Sequence, residues 1–235
     1  MARKLTLVAT TGLIGAAVFL TLGVGLSGRG WADARKLWGA LPSTCGSSVS
    51  GGEKVTLPFV ASDSLVIDLL ASVQYQPGDT ATAVVSGDPA LIEHVRIEGG
   101  RLSLDCDPGL FASRLDVSLS APAITNWELL GSSALSLSQI NQPQLKLSIR
   151  GSGNVTAAGA VDTVKVDMAG SGTARLNGLT AKSAEIAIRG SGDAQITAQT
   201  EADVTILGSG SVEIFGHPIL RRSDIMGSGR IVQVR

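Results

Sequence analysis

A three-residue phrase of glycine and serine returns six times in the C-terminal half of the chain. It stands at Gly131-Ser132-Ser133, Gly151-Ser152-Gly153, Gly170-Ser171-Gly172, Gly190-Ser191-Gly192, Gly208-Ser209-Gly210 and Gly227-Ser228-Gly229, at spacings of 20, 19, 20, 18 and 19 residues. Repetition near 20 residues marks a solenoid, in which each repeat is one coil that buries its apolar face only by stacking on its neighbours.

Aligning the repeats on their first glycine sorts the remaining positions into rows. Two residues before it stand Leu129, Ile149, Met168, Ile188, Ile206 and Ile225; four before it stand Trp127, Leu147, Val166, Ile186, Val204 and Ser223. Four after it stand Leu135, Val155, Ala174, Ala194, Val212 and Ile231; six after it stand Leu137, Ala157, Leu176, Ile196, Ile214 and Gln233. Alternate positions are mostly polar. Apolar residues of period two on both sides of the phrase predict two half-buried strands per coil, stacked in parallel register about 4.8 Å apart. Ser223 and Gln233 interrupt the apolar rows, as expected of an incomplete terminal coil.

The phrase itself reads as the corner between those strands. Gly131, Gly151, Gly153, Gly170, Gly172, Gly190, Gly192, Gly208, Gly210, Gly227 and Gly229 provide positive φ or the close approach that a Cβ would prevent. The serine hydroxyls between them would form a ladder along one edge and bond to backbone or to the next serine.

Upstream the chain reads as short strands at 55–59, 65–70, 82–85, 101–105 and 115–120, with a turn at Gln76-Pro77-Gly78-Asp79. Asp88 to Val95 reads as a short helix, with Asp88 as N-cap and Pro89 in its first turn. Residues 28–52, rich in glycine and serine, read as linker. Before them, Arg3 and Lys4 precede an uncharged apolar run from Leu5 to Ser27, an export segment. Two fates stay open: cleavage after Ala32-Asp33-Ala34, or retention as a signal anchor flanked by Trp31 and Trp38. The organisation expected is therefore a signal peptide or anchor over 1–34, a linker over 35–52 and a β-solenoid domain over 53–235, with regular coils from 131. Cys45 and Cys106, the only two cysteines, are candidates for one disulfide in an oxidising compartment.

The segment Gly87-Asp88-Pro89-Ala90-Leu91-Ile92, then Arg101-Leu102-Ser103-Leu104, then Leu115-Asp116-Val117-Ser118-Leu119-Ser120-Ala121-Pro122, followed by Gly-Ser-Gly coils, resembles the head GIN domain family of putative auto-transporter adhesins. The resemblance covers about residues 53–235. It implies an exported or envelope β-solenoid with an adhesin role, and it carries over no catalytic residues. The sequence departs from the phrase at Ser133, where the third glycine is replaced and a looser or differently shaped turn is expected.

The net charge of −1 gives no electrostatic basis for nucleic-acid binding. Aromatic residues are 3% of the chain, too few to line a large sugar cleft. The spacing of Cys45, Cys106, His94 and His217 matches no metal motif, and no phosphate loop, dinucleotide fingerprint or Ser–His–Asp grouping is present. One outward row carries charges in series: Lys146, Lys165, Glu185, Asp203 and Arg222. In-register stacking sets Glu185 and Asp203 roughly 5 Å apart, a separation used by retaining glycosidases. Lys165 and Arg222 flank them, which makes the row a charge ladder first and a catalytic pair second.

The reading is an all-β parallel solenoid with coils of about 19 residues and one short helix, exported to the periplasm or cell envelope. It acts without a cofactor or metal, as a non-enzymatic adhesin-like or structural module. Its partner is a surface protein or a glycan, with membrane contact only if the N-terminal segment is retained. The alternatives are a glycoside hydrolase or polysaccharide lyase using Glu185 and Asp203, and a membrane-anchored envelope sensor. The open C-terminal coil also invites association through the solenoid ends.

Overall fold

The computed structural model describes Cys45, residues 54–109 and residues 112–234. The expected export segment and the linker, apart from Cys45, lie outside the described residues. No helix among the described residues is long and apolar enough to cross a membrane.

The chain forms β1 (Lys54–Pro58), β2 (Ser64–Asp68), β3 (Ala71–Pro77), β4 (Thr82–Ser86), the helix α1 (Pro89–Ile92), β5 (Val95–Glu98), β6 (Arg101–Leu104), β7 (Leu115–Ala121) and β8 (Asn126–Gly131). Long bent strands follow: β9 (Ala134–Gly151), β10 (Asn154–Gly170), β11 (Thr173–Gly190) and β12 (Asp193–Gly208). The shorter β13 (Ser211–Phe215), β14 (Ile219–Gly227) and β15 (Arg230–Val234) are the last described elements. It is a parallel β-solenoid of about five turns. Successive first glycines are register partners, Gly131 with Gly151, then Gly170, Gly190, Gly208 and Gly227.

The apolar rows fill the interior. Leu147, Ile149, Val155, Met168, Ile188, Ile196 and Ile206 are fully buried. Each coil has more sides than the two strands predict. Between β10's first stretch and its last, residues 159–161 stay paired with 140–142 and with 179–181. Two consecutive outward residues, Asp162 and Thr163, then lie between buried Val161 and Val164. The segment opposite Gly-Ser-Gly is thus a further hydrogen-bonded side with its own corner.

Coils also begin before residue 131. β2 and β3 form one that stacks on β8 and β9, and β6 and β7 form another that stacks on β2 and β3. The chain therefore lays down its second coil first, runs outward through β4, α1 and β5, and returns. β4 pairs β7, β1 pairs β4 and β5 pairs β6, all antiparallel, and close this end. The helix is shorter than expected. Asp88 Oδ1 accepts from Ala90 N at 3.0 Å, but the helix stops at Ile92. Val95 opens β5 because Gly99 and Gly100, at φ 56° and 73°, make the tight turn of a β5–β6 hairpin.

The turn at Ser133 is tied down. Ser133 is fully buried, its hydroxyl donates to the Leu69 carbonyl, and it accepts from Ala71 N at 3.4 Å. The serine thus bonds the corner of the preceding coil, which has no glycine phrase of its own. Arg114 adds a clamp over the same ridge, donating to Ala71 O and Ser132 O at 3.1 Å each.

Within the later phrases the two glycines differ in task. Gly151 has φ +119°, and a Cβ there would lie 2.6 Å from the Gly131 carbonyl oxygen. Gly153 has no positive φ, yet a Cβ would come within 3.1 Å of Ser133 O. The central serine side chains are exposed, while their amides bond the previous coil, Ser152 N to Gly131 O and Ser171 N to Gly151 O at 2.9 Å.

Where the chain returns from the closed end to β8, buried polar groups hold it. Tyr75 is the single tyrosine and is fully buried. Its hydroxyl lies 3.1 Å from Pro122 O and 3.2 Å from Ala121 O, and accepts from Ile124 N at 3.3 Å. Its ring meets Trp127 edge to face at 4.9 Å. Trp127 Nε1 and Gln142 Nε2 both donate to Ile124 O, at 3.2 Å.

Two predictions follow from this packing. Gly131→Ala meets nothing within 4 Å and carries only the strain of φ +77°, whereas Gly151→Ala adds a collision with backbone. Denaturant unfolding should show a loss of about 1 kcal/mol for the first and about 3 kcal/mol for the second. Burial also pushes the Tyr75 phenol above its ordinary 10.0, opposed by the smaller effect of the Ile124 N–H. The neutral phenol is therefore favoured in the folded state. That stability is intact below pH 10 and is lost as pH rises through the raised value. With one tyrosine in the chain, near-ultraviolet tyrosinate absorbance should titrate above pH 10 when folded and at the ordinary value in denaturant.

Candidate functional site

The outward faces hold most of the titratable groups, and several of them pair from coil to coil. Lys165 Nζ meets Glu185 Oε1 at 2.6 Å, Arg189 meets Asp167 at 2.7 Å, Arg150 meets Glu128 at 2.8 Å and Lys182 meets Asp162 at 2.6 Å. Parallel stacking produces this pattern: Lys165 and Glu185 lie directly across from each other, while Asp167–Arg189 and Glu128–Arg150 are diagonal neighbours on adjacent coils.

Glu185 and Asp203 are register partners on β11 and β12. Their surroundings differ from the expected ladder. Lys165 holds Glu185, but Arg222 does not hold Asp203. A bulge between Ala202 and Asp203 leaves Arg221 as the unmatched residue of β14, and such a bulge re-aims the neighbouring side chains. Arg221 takes Glu201 at 2.7 Å, and Arg222 turns to Asp224 at 3.8 Å. The Glu185 side chain is 54% exposed on a strand face. General acid–base work on a glycoside needs two carboxyls whose environments differ strongly, flanking an enclosed bond. Here one carboxylate is ion-paired in the open and the other lies beside it on the same face.

The fold brings together one group that spacing set apart. Ligand atoms of His94, Asp105 and Cys106 lie within 4.8 Å of one another. Each is already engaged. Cys106 is joined to Cys45 in a disulfide with Cα atoms 5.2 Å apart. Asp105 receives His94 Nδ1 at 2.6 Å and Arg96 at 2.7 Å. The bridge closes a separation of 61 residues, which in the chain-entropy account is worth about 4 kcal/mol. His217 is exposed between Gly216 and Pro218, in the short corner of the last full coil.

A groove of about 480 Å³ runs along the corner at residues 160–162, lined by Asn141, Pro143, Val161, Asp162, Thr180, Lys182 and Gln199 among others. Asn141, Ala160 and Thr180 are register partners on three successive coils, so the groove crosses coils along the solenoid axis. Its lining combines apolar Pro143, Ala160 and Val161 with amides, a hydroxyl and the Asp162–Lys182 pair, and no aromatic residue lines it. The sequence rows, aligned on the opposite corner, did not reach this feature. Its one sequence signal is the run of two outward residues after Val161.

The family model described as "putative auto-transporter adhesin, head GIN domain" matches residues 63–218, more than half of the chain. The chain belongs to this family. Among solved structures, it is similar to a putative adhesin from Bacteroides fragilis, with a TM-score of 0.57 and 15% identity over 77% of this chain and 97% of that one. It is also similar to a protein from Parabacteroides distasonis described as a putative lipid binding protein, with a TM-score of 0.50 and 21% identity over 79% of this chain and 98% of that one. At these identities the likeness establishes the shared fold. No curated protein sequence matches the chain. Membership of an adhesin-head family fits a binding module.

If the Lys165–Glu185 contact is only an exposed coil-to-coil pair, Glu185→Gln should change unfolding free energy by less than about 0.5 kcal/mol. Denaturant titration checks this.

Proposed function

We propose that the protein is a non-catalytic binding module exported to the cell envelope, and that the groove along its corner receives an extended polymer. One observation carries the reading: the groove is continuous across stacked coils. A site of that shape suits a chain lying parallel to the solenoid axis rather than a compact small molecule. Amides and a hydroxyl at repeating heights can bond successive units of the guest, while Pro143 and Val161 give it apolar contact. The absence of aromatic rings from its lining favours an extended segment of a surface protein over a sugar chain, which usually stacks on such rings. The disulfide and the family membership support export, since such bridges persist in oxidising compartments.

The test exposes the full chain to a panel of envelope proteins and cell-surface polysaccharides, measuring both the bound fraction and newly formed reducing ends. A protein ligand should bind without turnover, and filling the groove with Thr180→Trp should weaken it about tenfold, or about 1.4 kcal/mol. Glu185→Gln should bind as the parent does. Polysaccharide turnover that vanishes in Glu185→Gln would overturn the proposal, as would binding indifferent to Thr180→Trp.

A further inference from the structure

Six large hydrophobic side chains stand exposed among the described residues, and five of them lie at the C-terminal end of the stack: Leu207, Ile219, Ile225, Met226 and Val232. Ile219 and Met226 are 71% and 70% exposed. Ile225 belongs to a row whose other members, from Leu129 to Ile206, are completely buried, because each of those has a further coil above it. β14 pairs only with β12, and β15 only with β13. Along their outer edges no described strand takes up the backbone N–H and C=O groups, which makes both edges templates for another strand.

We propose that this end is covered by a second copy of the chain, tail to tail about a two-fold axis, with β14 pairing antiparallel to its counterpart. The charges on β14 select this partner. With Ser223 at the two-fold axis, Arg222 of each copy stands opposite Asp224 of the other, giving two opposite-charge pairs on the outward side. Within one chain these two groups make only a loose contact of 3.8 Å, with both side chains largely exposed. The same pairing sets Ile225 at the two ends of this central stretch, opposite Arg221 of the other copy, whose aliphatic stem can lie over it while its guanidinium keeps Glu201. An axis normal to the β14 face passes through to β15, so β15 can meet its own counterpart in the same arrangement.

The opposite end argues against a head-to-tail filament. It is closed by β1, β4 and β5, which run antiparallel to their neighbours and are only four or five residues long. Two reversals bring the edge strand β1 back into the direction of the coils, but β5 leaves an edge that runs against them, so the two sides of this end cannot both accept the parallel strands of one coil from another copy. The contact is therefore isologous and stops at two copies. This inference uses a different surface from the groove and stands or falls separately from it.

Sedimentation of the full chain, as its host processes it, should give a concentration-dependent monomer–dimer equilibrium. Arg222→Asp alone and Asp224→Arg alone each place like charges across the axis and should weaken the dimer about tenfold or more. The double exchange Arg222→Asp with Asp224→Arg should restore it, which also shows that the single variants had not simply misfolded. A monomer at every concentration would overturn the proposal. So would a ladder of larger species, or a dimer indifferent to the single exchanges.

Discussion

The whole stack depends on one contact: the carbonyl of a corner glycine accepting the amide of the serine in the next coil. It recurs at 2.9 Å from Ser152–Gly131 through Ser171–Gly151, Ser191–Gly170 and Ser209–Gly190 to Ser228–Gly208. At that spacing there is no room for a Cβ beneath the next carbonyl, and the first glycine of each phrase must also hold a positive φ. The contact fixes the height between coils and the registration of everything that follows the corner. Once Gly151 sits under Gly170, Ile149 sits under Met168 and Val166 under Ile186. The core follows from the corner because period-two alternation leaves no freedom of register.

This is why so much of the solenoid was legible in the amino-acid sequence. The inward rows could be listed by counting from a glycine, and the residues that break them, Ser223 and Gln233, mark the last coil. What counting could not reach is whatever departs from chain order. β3 carries the alternation of a strand, Ala71, Val73 and Tyr75 against Ser72, Gln74 and Gln76, but no glycine phrase precedes it to set its place in the count; Leu69 and Leu70 take that corner. The coil made by β6 and β7 is laid down after the one made by β2 and β3 but stacks behind it, and such a reversal leaves no periodic trace. Ser133 looked like a defect in the repeat. It is the residue that joins the repeating part to the irregular one, since a hydroxyl can bond a neighbouring corner where a glycine cannot.

The candidate site was legible in part. Register placed Glu185 beside Asp203 correctly, and Lys165 beside Glu185. The bulge that gives Arg221 to Glu201 and turns Arg222 toward Asp224 depends on one extra residue in β14, which a fixed period cannot reveal. The groove escaped for a similar reason. It lies at the corner farthest from the glycine ruler, where coils differ in length: β9 and β11 have 18 residues, β10 has 17 and β12 has 16. Differences in coil length must be absorbed somewhere, and the glycine corner, which tolerates none, passes them to the opposite side.

That division of labour bears on where recognition can evolve in such a fold. On the flat faces, stacking brings opposite charges of neighbouring coils within reach, directly across in Lys165–Glu185 and diagonally in Asp167–Arg189 and Glu128–Arg150, and these pairs largely satisfy one another. A ligand landing there must compete with these pairs for little gain, since exposed pairs are worth only a few tenths of a kcal/mol and bring no enclosed, desolvated pocket. Two regions escape the constraint. At the variable corner the coils differ in length and a concavity opens. At the last described coil no described strand covers β14, so Ile225 and that edge are left open to a partner. A repeat that is strict at one corner thus concentrates its capacity for specific binding at the opposite corner and at its end.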